Sequence, residues 1–355
     1  MTNYQPDYQN LVKAAKRQKV DRVPLYDHIV AVEIMEKVLG TSFAELNNGD
    51  TKDVQEYFRY YCEFFRRMQY DTVSYEGLFR VIMPGGGALI RAENVAIRDR
   101  KDYEQYPFNQ LEEIYFATYQ KNFTALRDQL PTGMKVVGGV GNGIFECVQD
   151  LTGYINLCYM GYEDPDLYRD MFTSIGDVMV SVWRRLLREF GDIFCVCRMG
   201  DDLGFRTSTL LSPDDVCTHI IPQYKRIISM VHEVGKPFLL HSCGRIFPVM
   251  DDLIAAGIDV KHSNEDAIAP FEEWVNRYGN KIGLFGGIDT DRVCRLGRQE
   301  MTSYIRNLFD HCADTPGWAF GSGNSIPKYV PVEQYLMMNE IARGFRDEIA
   351  EKRSK

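Results

Sequence analysis

The chain has 355 residues, of which 45% are hydrophobic and 26% are charged, and its formal net charge is -9. This composition is that of a globular protein with enough apolar material for one large core. An acidic chain without basic stripes is a poor binder of nucleic acid, so that class of partner is excluded. No apolar run reaches the roughly 18 residues that a membrane-spanning helix needs. The amino-terminal segment lacks the apolar region of a secretory signal, and the nine cysteines then indicate reduced thiols and a cytoplasmic location.

The predicted elements alternate between short apolar runs of the β type and helical patterns. A short helix is predicted over residues 8–18, and a longer one over Val332–Glu351. Eight β-type runs lie between these two helices, and turn residues follow most of them. The predicted strands are Val23–Tyr26, Thr72–Tyr75, Lys135–Val140, Asp192–Cys197, Pro237–His241, Ile258–His262, Ile282–Gly286 and Trp318–Gly321.

Helical patterns separate most of these strands. Asp164 and Pro165 form a clear start signal, because a carboxylate caps the first turn and proline fits the first helical position. Eight strands in this arrangement predict parallel βαβ units that close into a single (β/α)8 barrel of the TIM type, with an amino-terminal helical extension. One domain is therefore predicted over residues 1–355. The predicted helices include Val54–Met68, Pro165–Arg188, Pro213–Val234, Phe247–Ala256 and Pro270–Tyr278.

One segment interrupts the alternation after the second predicted strand. Phe79–Met83 and Ala88–Ala92 flank the sequence Pro84-Gly85-Gly86-Gly87, which is typical of a tight turn. The pattern predicts an inserted antiparallel β-hairpin at this place.

Polar side chains follow the predicted strands at the barrel end where catalytic groups are expected. In a (β/α)8 barrel the loops after the strands build the active site, while the opposite end serves stability. These residues are therefore candidates for function, although single histidines could also cap strands or pack in the core. They are His28, Glu76, Asn142, Asp202, His241, Cys243, His262, Glu265 and Asn324.

His241-Ser242-Cys243 is the sharpest local signal. Residues i and i+2 of a strand point to the same side, so an imidazole and a thiol lie together. Zinc accepts nitrogen and sulfur ligands, and Glu265 after the next strand could supply an oxygen, which leaves the fourth position open. The alternative is a buried, hydrogen-bonded histidine beside an inert cysteine that packs as a small apolar residue.

Four stretches of the sequence resemble the uroporphyrinogen decarboxylase superfamily between about Asp21 and Tyr335. They are DRVPLYDH, in its D-R-V-P part, and PFLLHSCGRI, LFGGIDT and GSGNSIPKYVPVEQY. The H-x-C-G motif at His241 resembles the branch of corrinoid-dependent methyltransferases. The resemblance implies a single (β/α)8 barrel with zinc held by His241, Cys243 and Glu265. It also implies a corrinoid protein as partner and a methyl group that moves between a corrinoid (methylcobalamin) and a small-molecule donor or acceptor.

The chain departs from the family pattern in two loops. Ser322 stands where thiol methyltransferases of the family carry a zinc-binding cysteine. The loop 27–33 has no arginine, whereas the decarboxylases pair arginines there with the carboxylates of the substrate. Because bidentate carboxylate recognition needs the guanidinium group, decarboxylation of uroporphyrinogen is disfavoured.

Three functions remain open on the sequence alone. The first is a zinc-assisted corrinoid methyltransferase, in which Asp202, His28 and Glu76 would orient the acceptor or handle its proton. Asn142 and Asn324 would then donate hydrogen bonds to the corrin side chains or to the acceptor. The alternatives are a decarboxylase-like lyase that acts on a less anionic substrate, and a tetrapyrrole-binding module without catalysis.

Overall fold

The computed structural model describes residues 4–354 and contains one curled parallel β-sheet. Its seven strands follow each other in the sheet in the order of the chain, in the manner of a TIM-type barrel. His241 lies opposite His262 in the register of the fourth and fifth strands, and Gly200 lies opposite His241. The strands are β1 (Thr72–Leu78), β2 (Lys135–Gly141), β3 (Phe194–Gly200), β4 (Phe238–His241), β5 (Val260–His262), β6 (Gly283–Ile288) and β7 (Trp318–Ser322).

Helices cover the outside of the sheet and connect its strands. Four short 3₁₀ segments (Ala44–Asn48, Arg80–Ile82, Phe108–Gln110, Phe247–Val249) and one π-helical segment (Val216–Ile220) supplement the α-helices. The α-helices are α1 (Gln9–Ala15), α2 (Val32–Leu39), α3 (Thr51–Arg67), α4 (Arg100–Gln105), α5 (Leu111–Gln129), α6 (Ile144–Thr152), α7 (Tyr154–Glu163), α8 (Pro165–Phe190), α9 (Pro213–Asp215), α10 (Ile221–Glu233), α11 (Met250–Ala255), α12 (Phe271–Tyr278), α13 (Thr290–Arg295), α14 (Arg298–Cys312) and α15 (Val332–Ser354).

The first predicted strand, Val23–Tyr26, does not form a strand, so the sheet has seven of the eight strands predicted. It makes one parallel bridge, in which Tyr26 N donates to Phe320 O (2.8 Å) and Phe320 N donates to Pro24 O (3.0 Å). Pro24 has no N–H group, so the ladder cannot extend through it. The segment nevertheless lies along β7 and places His28 at the same end as the strand termini.

The predicted hairpin after β1 is also absent from the described residues. Phe79–Met83 contains the 3₁₀ turn Arg80–Ile82, and the glycine segment binds a helix instead of a second strand. The backbone N–H groups of Gly87 and Ala88 donate to Asp150 O, and Leu89 N donates to Asp150 Oδ1 (3.1 Å). Because α6 satisfies these donors, no antiparallel partner is needed.

The predicted helix Pro165–Arg188 is confirmed and begins as its sequence predicts. Asp164 accepts a hydrogen bond from Leu167 N (2.9 Å), and Pro165 occupies the first turn of α8. The predicted helix Pro213–Val234 is divided into α9, the π-helical segment and α10, with Pro222 in the first turn of α10. Proline lacks the N–H that a continuous helix requires, which explains the irregularity before it.

The interior of the sheet is apolar at one end and polar at the other. Leu239 and Val260 pack with Leu11 and Ala14 of α1, so α1 covers the apolar end. Two residues further along the same strands, His241 and His262 point to the same interior face. Along these strands, the side chains of the interior face therefore change from apolar core residues to a cluster of titratable groups. Within residues 4–354, no helix has the length and apolarity required to cross a membrane.

Candidate functional site

Asp202, His241 and Cys243 come together after the carboxyl ends of β3 and β4. Their ligand atoms all lie within 4.8 Å of one another. His241 Nε2 is 3.4 Å from Cys243 Sγ and 3.8 Å from Asp202 Oδ1. Tetrahedral zinc bonds of about 2.0–2.3 Å separate neighbouring ligand atoms by roughly 3.5 Å. The three side chains therefore have both the chemistry and the spacing of a zinc site with an open position.

Backbone hydrogen bonds hold the turn that carries Cys243. Cys243 N donates to Asp202 Oδ1 (2.9 Å), and Ser242 N donates to His262 O (2.7 Å). Leu203 N donates to Ser242 Oγ (3.2 Å), which ties the loop after β3 to the same turn. The carboxylate of Asp202 thereby holds the backbone of Cys243 in place, and it also faces the imidazole of His241.

Three buried histidine rings meet at this point. The His28 ring stacks on His241 with a centroid distance of 3.7 Å and an interplanar angle of 8°. His241 Nδ1 lies 2.7 Å from His262 Nδ1, and His262 Nε2 lies 2.9 Å from Ser322 O. The sequence placed all three histidines at strand ends but did not predict their contacts.

The three histidines form a second possible donor set, which fits a metal less well. Imidazole lone pairs lie in the ring plane, so the parallel rings of His28 and His241 cannot direct them at one ion between them. The 2.7 Å contact between His241 and His262 has the length of a hydrogen bond and is shorter than the spacing of two zinc ligands. The Asp202–His241–Cys243 group, called the metal group below, is therefore the better candidate metal site.

Burial sets the protonation of the donor atoms. It lowers the pKa of His241 well below the ordinary histidine value, and the neighbouring His262 lowers it further. Burial raises the pKa of the Cys243 thiol, and Asp202 adds to that shift. The imidazole is thus neutral and ready to bind a metal, whereas the thiol must give up a proton. Asn324 Nδ2 and Ser263 Oγ each lie 3.5 Å from Cys243 Sγ and can stabilise the thiolate.

Glu76 lies beside a buried arginine and outside the metal group. Arg198 on β3 is fully buried, and its Nε and Nη2 atoms are each 2.8 Å from Glu76 Oε2. Arg198 Nη1 also donates to the backbone oxygen of His28 (2.7 Å) and to Ser74 Oγ (2.5 Å). The arginine therefore connects β1 and β3 with the segment that carries His28. No sequence motif indicated Arg198 as a site residue, although it directly follows the predicted strand Asp192–Cys197.

Asn142 lies at the turn between β2 and α6, where its side chain makes hydrogen bonds to Arg80 and Glu146. Its φ angle is +66°, its Oδ1 accepts from Arg80 N (3.2 Å) and its Nδ2 donates to Glu146 Oε2 (3.4 Å). Burial and the carboxylates of Asp201 and Asp202 raise the pKa of Glu146 well above its usual range. Glu146 is a titratable group near Asp202 that no sequence motif indicated.

Ser322 does not direct its side chain at the metal group. Its Oγ donates to Asp27 Oδ1 (2.8 Å), and its backbone N–H donates to the same oxygen (2.9 Å). Tyr335 also donates to Asp27, whose side chain is buried. It is Asn324, two residues later, that reaches Cys243.

A cavity of about 830 Å³ opens beside the metal group at the carboxyl ends of β5, β6 and β7. Asn324 lines it and contacts Cys243, so the cavity is connected to the metal group. Glu265 lines the same cavity and is in neither of the two donor groups found among the described residues. The cavity is polar, and it also contains Arg206, Arg292 and Arg295.

One lysine behind the site is buried without a carboxylate contact in residues 4–354. Lys261 on β5 lies over the Trp274 ring at 3.8 Å and donates to Ser263 O. Burial lowers its pKa to about 7, and the charges of Cys243 and Asp202 act against that shift. Strand alternation directs Lys261 away from the interior face that carries His262.

The parallel sheet with its polar carboxyl end defines an α/β barrel-type protein whose candidate site lies where such enzymes place their chemistry. The family model for uroporphyrinogen decarboxylase (URO-D) matches residues 7–345. The chain therefore belongs to the uroporphyrinogen decarboxylase family, a family of enzymes. No curated protein matches it.

Solved structures with a similar fold include two proteins of low sequence identity. A methyltransferase from Methanosarcina mazei is 14% identical with a TM-score of 0.71, and the match covers 97% of this chain and 99% of the other. A putative vitamin-B12 independent methionine synthase from Listeria monocytogenes is 12% identical with a TM-score of 0.52, covering 92% and 99% of the two chains. At these identities the similarity shows the fold.

Proposed function

We propose that this protein is a zinc-assisted methyltransferase that moves a methyl group between a corrinoid on a partner protein and a small-molecule donor or acceptor. The observation that carries the proposal is the Asp202–His241–Cys243 group beside a cavity. Membership in the family and the fold of the Methanosarcina mazei methyltransferase support it.

Asp202, His241 and Cys243 would hold the metal in this proposal. Zinc, when bound, supplies Lewis acidity that lowers the pKa of an acceptor or polarises the donor atom. Asn324 and Ser263 stabilise the thiolate, and His241 presents a neutral imidazole because it is buried. This assignment replaces Glu265 by Asp202 as the oxygen ligand and places Glu265 in the cavity that receives the small molecule.

The same end of the molecule offers an apolar surface for a corrinoid partner. Exposed large apolar residues of the described chain concentrate on segments that follow β1, β2, β3 and β7. Three of them lie on α7, which is held at this end because Tyr154 donates to Leu210 O (2.7 Å) in the loop after β3. Exposed apolar patches are typical of docking sites. The residues are Val81, Ile90, Ile155, Tyr159, Tyr162, Phe205 and Tyr329.

A decarboxylase-like lyase is the second candidate, and one observation favours it. Arg206, Arg292 and Arg295 line the cavity, although loop 27–33 has no arginine. Arg292 lies 3.7 Å from Asp266, and Arg295 lies 2.9 Å from Asp291. Two of the three guanidinium groups are thus already compensated, which favours the methyltransferase over a polycarboxylate lyase.

The proposal further includes a single domain over residues 1–355 and a cytoplasmic location. All nine cysteines are free thiols in the structure, which suits a reducing compartment.

Metal analysis and methyl transfer test the proposal together. Protein purified without chelators should contain up to one zinc per chain. It should catalyse transfer of the methyl group of methylcobalamin to a small thiol, which leaves cob(I)alamin, or transfer of a methyl group from a methyl ether to added cob(I)alamin, which leaves the alcohol. His241→Ala and Cys243→Ala should bind zinc more weakly, so that they are purified with much less of it, and they should lose methyl transfer. Cys158→Ala, which removes an exposed cysteine on α7, is the matched control and should retain zinc. Equal zinc in all four proteins would refute the site. Zinc without any transfer to or from the corrinoid would refute the reaction.

A further inference from the structure

His262 is fully buried and makes two hydrogen bonds that together determine the state of its neighbour. Its Nε2 lies 2.9 Å from the carbonyl oxygen of Ser322, and its Nδ1 lies 2.7 Å from His241 Nδ1. A carbonyl oxygen can only accept a hydrogen bond, so His262 Nε2 carries a proton. A buried imidazole without a carboxylate partner stays neutral, so His262 Nδ1 carries a lone pair.

The protonation of His241 then follows. Two nitrogen lone pairs cannot face each other at 2.7 Å, so His241 Nδ1 carries the proton and donates it to His262. His241 is neutral as well, and its lone pair is therefore on Nε2. This atom is the one that lies 3.4 Å from Cys243 Sγ and 3.8 Å from Asp202 Oδ1.

We propose that His262 is a positioning residue that fixes the tautomer and ring orientation of His241, so that His241 Nε2 is presented to a divalent cation. Two hydrogen bonds, called the relay below, connect the Ser322 carbonyl to His262 and His262 to His241. This inference rests on the proposed metal site, and it assigns Ser322 a role through its backbone oxygen although its hydroxyl is bound to Asp27.

The neighbouring His28 provides an internal comparison. It contacts the other side of the same ring by stacking, at a centroid distance of 3.7 Å, and has no hydrogen bond to His241 within the described residues. A phenylalanine at position 28 keeps the stacked ring. Zinc affinity should therefore depend on the ring nitrogens of His262 and not on those of His28.

Competition with a coloured chelator measures the effect in variants. Partners that orient a metal-binding histidine are typically worth 10–100-fold in metal affinity. His262→Phe keeps the ring volume but removes both hydrogen bonds, so we expect a loss of zinc affinity of about that size. His262→Asn offers an amide oxygen near the position of Nδ1 and should restore most of the affinity. His28→Phe should change it by less than about threefold, well below the effect of such a partner.

The tautomer itself can be observed in the metal-free wild-type protein, whether or not the variants fold. Long-range proton–nitrogen NMR correlations should show His241 protonated at Nδ1 and His262 protonated at Nε2. A His241 protonated at Nε2 would overturn the inference, as would equal zinc affinity of the wild type and His262→Phe. An equal loss in His28→Phe and His262→Phe, with no loss in Cys243→Ala, would instead indicate the three-histidine set and overturn both proposals. The predicted tautomers in a protein that binds no zinc would support the relay and refute the proposed metal centre alone.

Discussion

Cys243 and His241 differ in whether they must release a proton before they can bind a metal. Burial leaves His241 neutral, so it loses no proton when it becomes a ligand, whereas Cys243 retains its proton at neutral pH because its pKa is raised. Metal binding should then release one proton per site. We expect zinc affinity to rise about tenfold per pH unit between pH 6.5 and 8.5, and to weaken as the pH falls.

A chelator competition at three pH values, corrected for the protonation of the chelator, measures this slope. The Cys243→Ala variant should bind zinc more weakly and show a nearly flat dependence over the same range. A flat dependence in the wild type would mean that Cys243 is not a ligand.

Glu76 illustrates how a residue at a strand end can serve structure as well as chemistry. Its carboxylate compensates Arg198, which is fully buried. Removing one partner of a buried ion pair leaves the other charge uncompensated and typically costs about 3–5 kcal/mol. We expect Glu76→Gln to lower the free energy of unfolding by that amount, measured by urea titration.

The exposed pair Arg298–Glu340 is the control for that experiment. Its side chains are 60% and 59% exposed, so Glu340→Gln should cost less than about 1 kcal/mol. Similar losses in the two variants would show that burial of Arg198 does not govern its dependence on Glu76.

The sequence predicted which residues lie at the site better than how they interact. Strand alternation and the H-x-C spacing are local, so they placed His241, Cys243 and Asp202 at the same barrel end. The contact between His241 and His262, and that between Arg198 and Glu76, join different strands and depend on register and side-chain conformation. No spacing in a single sequence encodes those contacts.

At the scale of elements, the contact between β7 and Val23–Tyr26 depends on one glycine. An ideal Cβ at Gly321 would lie 1.5 Å from Tyr26 O, which no real contact allows. Gly321→Ala should therefore push this segment away from β7 and cost about 3 kcal/mol of stability. Thermal unfolding measures the change.

Gly344 in α15 offers the opposite case within the same chain. Apart from its chain neighbours and the backbone of its own helix, nothing lies within 4 Å of an ideal Cβ there, and the residue is inside a helix. Gly344→Ala should raise stability by about 0.5–1 kcal/mol, because alanine is the better helix former. An unchanged melting temperature for Gly321→Ala would mean that Val23–Tyr26 is not packed against β7 in solution.

The predicted strand and the predicted β-hairpin that the described residues do not form are absent for one physical reason. The sequence patterns of Val23–Tyr26 and of residues 79–92 are compatible with strands, but a strand needs a partner with free N–H and C=O groups. Pro24 interrupts the first ladder, and Asp150 on α6 satisfies the donors of the second segment. The regular helices α3 and α8, whose periodicity and caps are local, were predicted within a few residues.

At the scale of the whole molecule, charge distribution separates the two enzymatic proposals. The chain carries a net charge of -9, and Arg206 is the one arginine of the cavity that has no ion-pair partner within residues 4–354. The surface around it includes exposed Phe205 and Tyr329. A corrinoid should therefore bind mainly through apolar and neutral polar contacts, whereas a tetrapyrrole with many carboxylates would depend on arginine.

We expect methylcobalamin to bind with an affinity that changes by less than about threefold between low and high ionic strength, since screening acts on charges. We also expect no decarboxylation of uroporphyrinogen. Spectroscopic titrations with each ligand in about 0.05 M and 0.5 M salt, together with a decarboxylation assay, measure both outcomes. Arg206→Ala serves as the diagnostic variant: it should leave methylcobalamin affinity unchanged. If uroporphyrinogen is decarboxylated, or binds in a salt-sensitive manner that Arg206→Ala abolishes while methylcobalamin does not bind, then the arginines define the substrate and the lyase is the correct function.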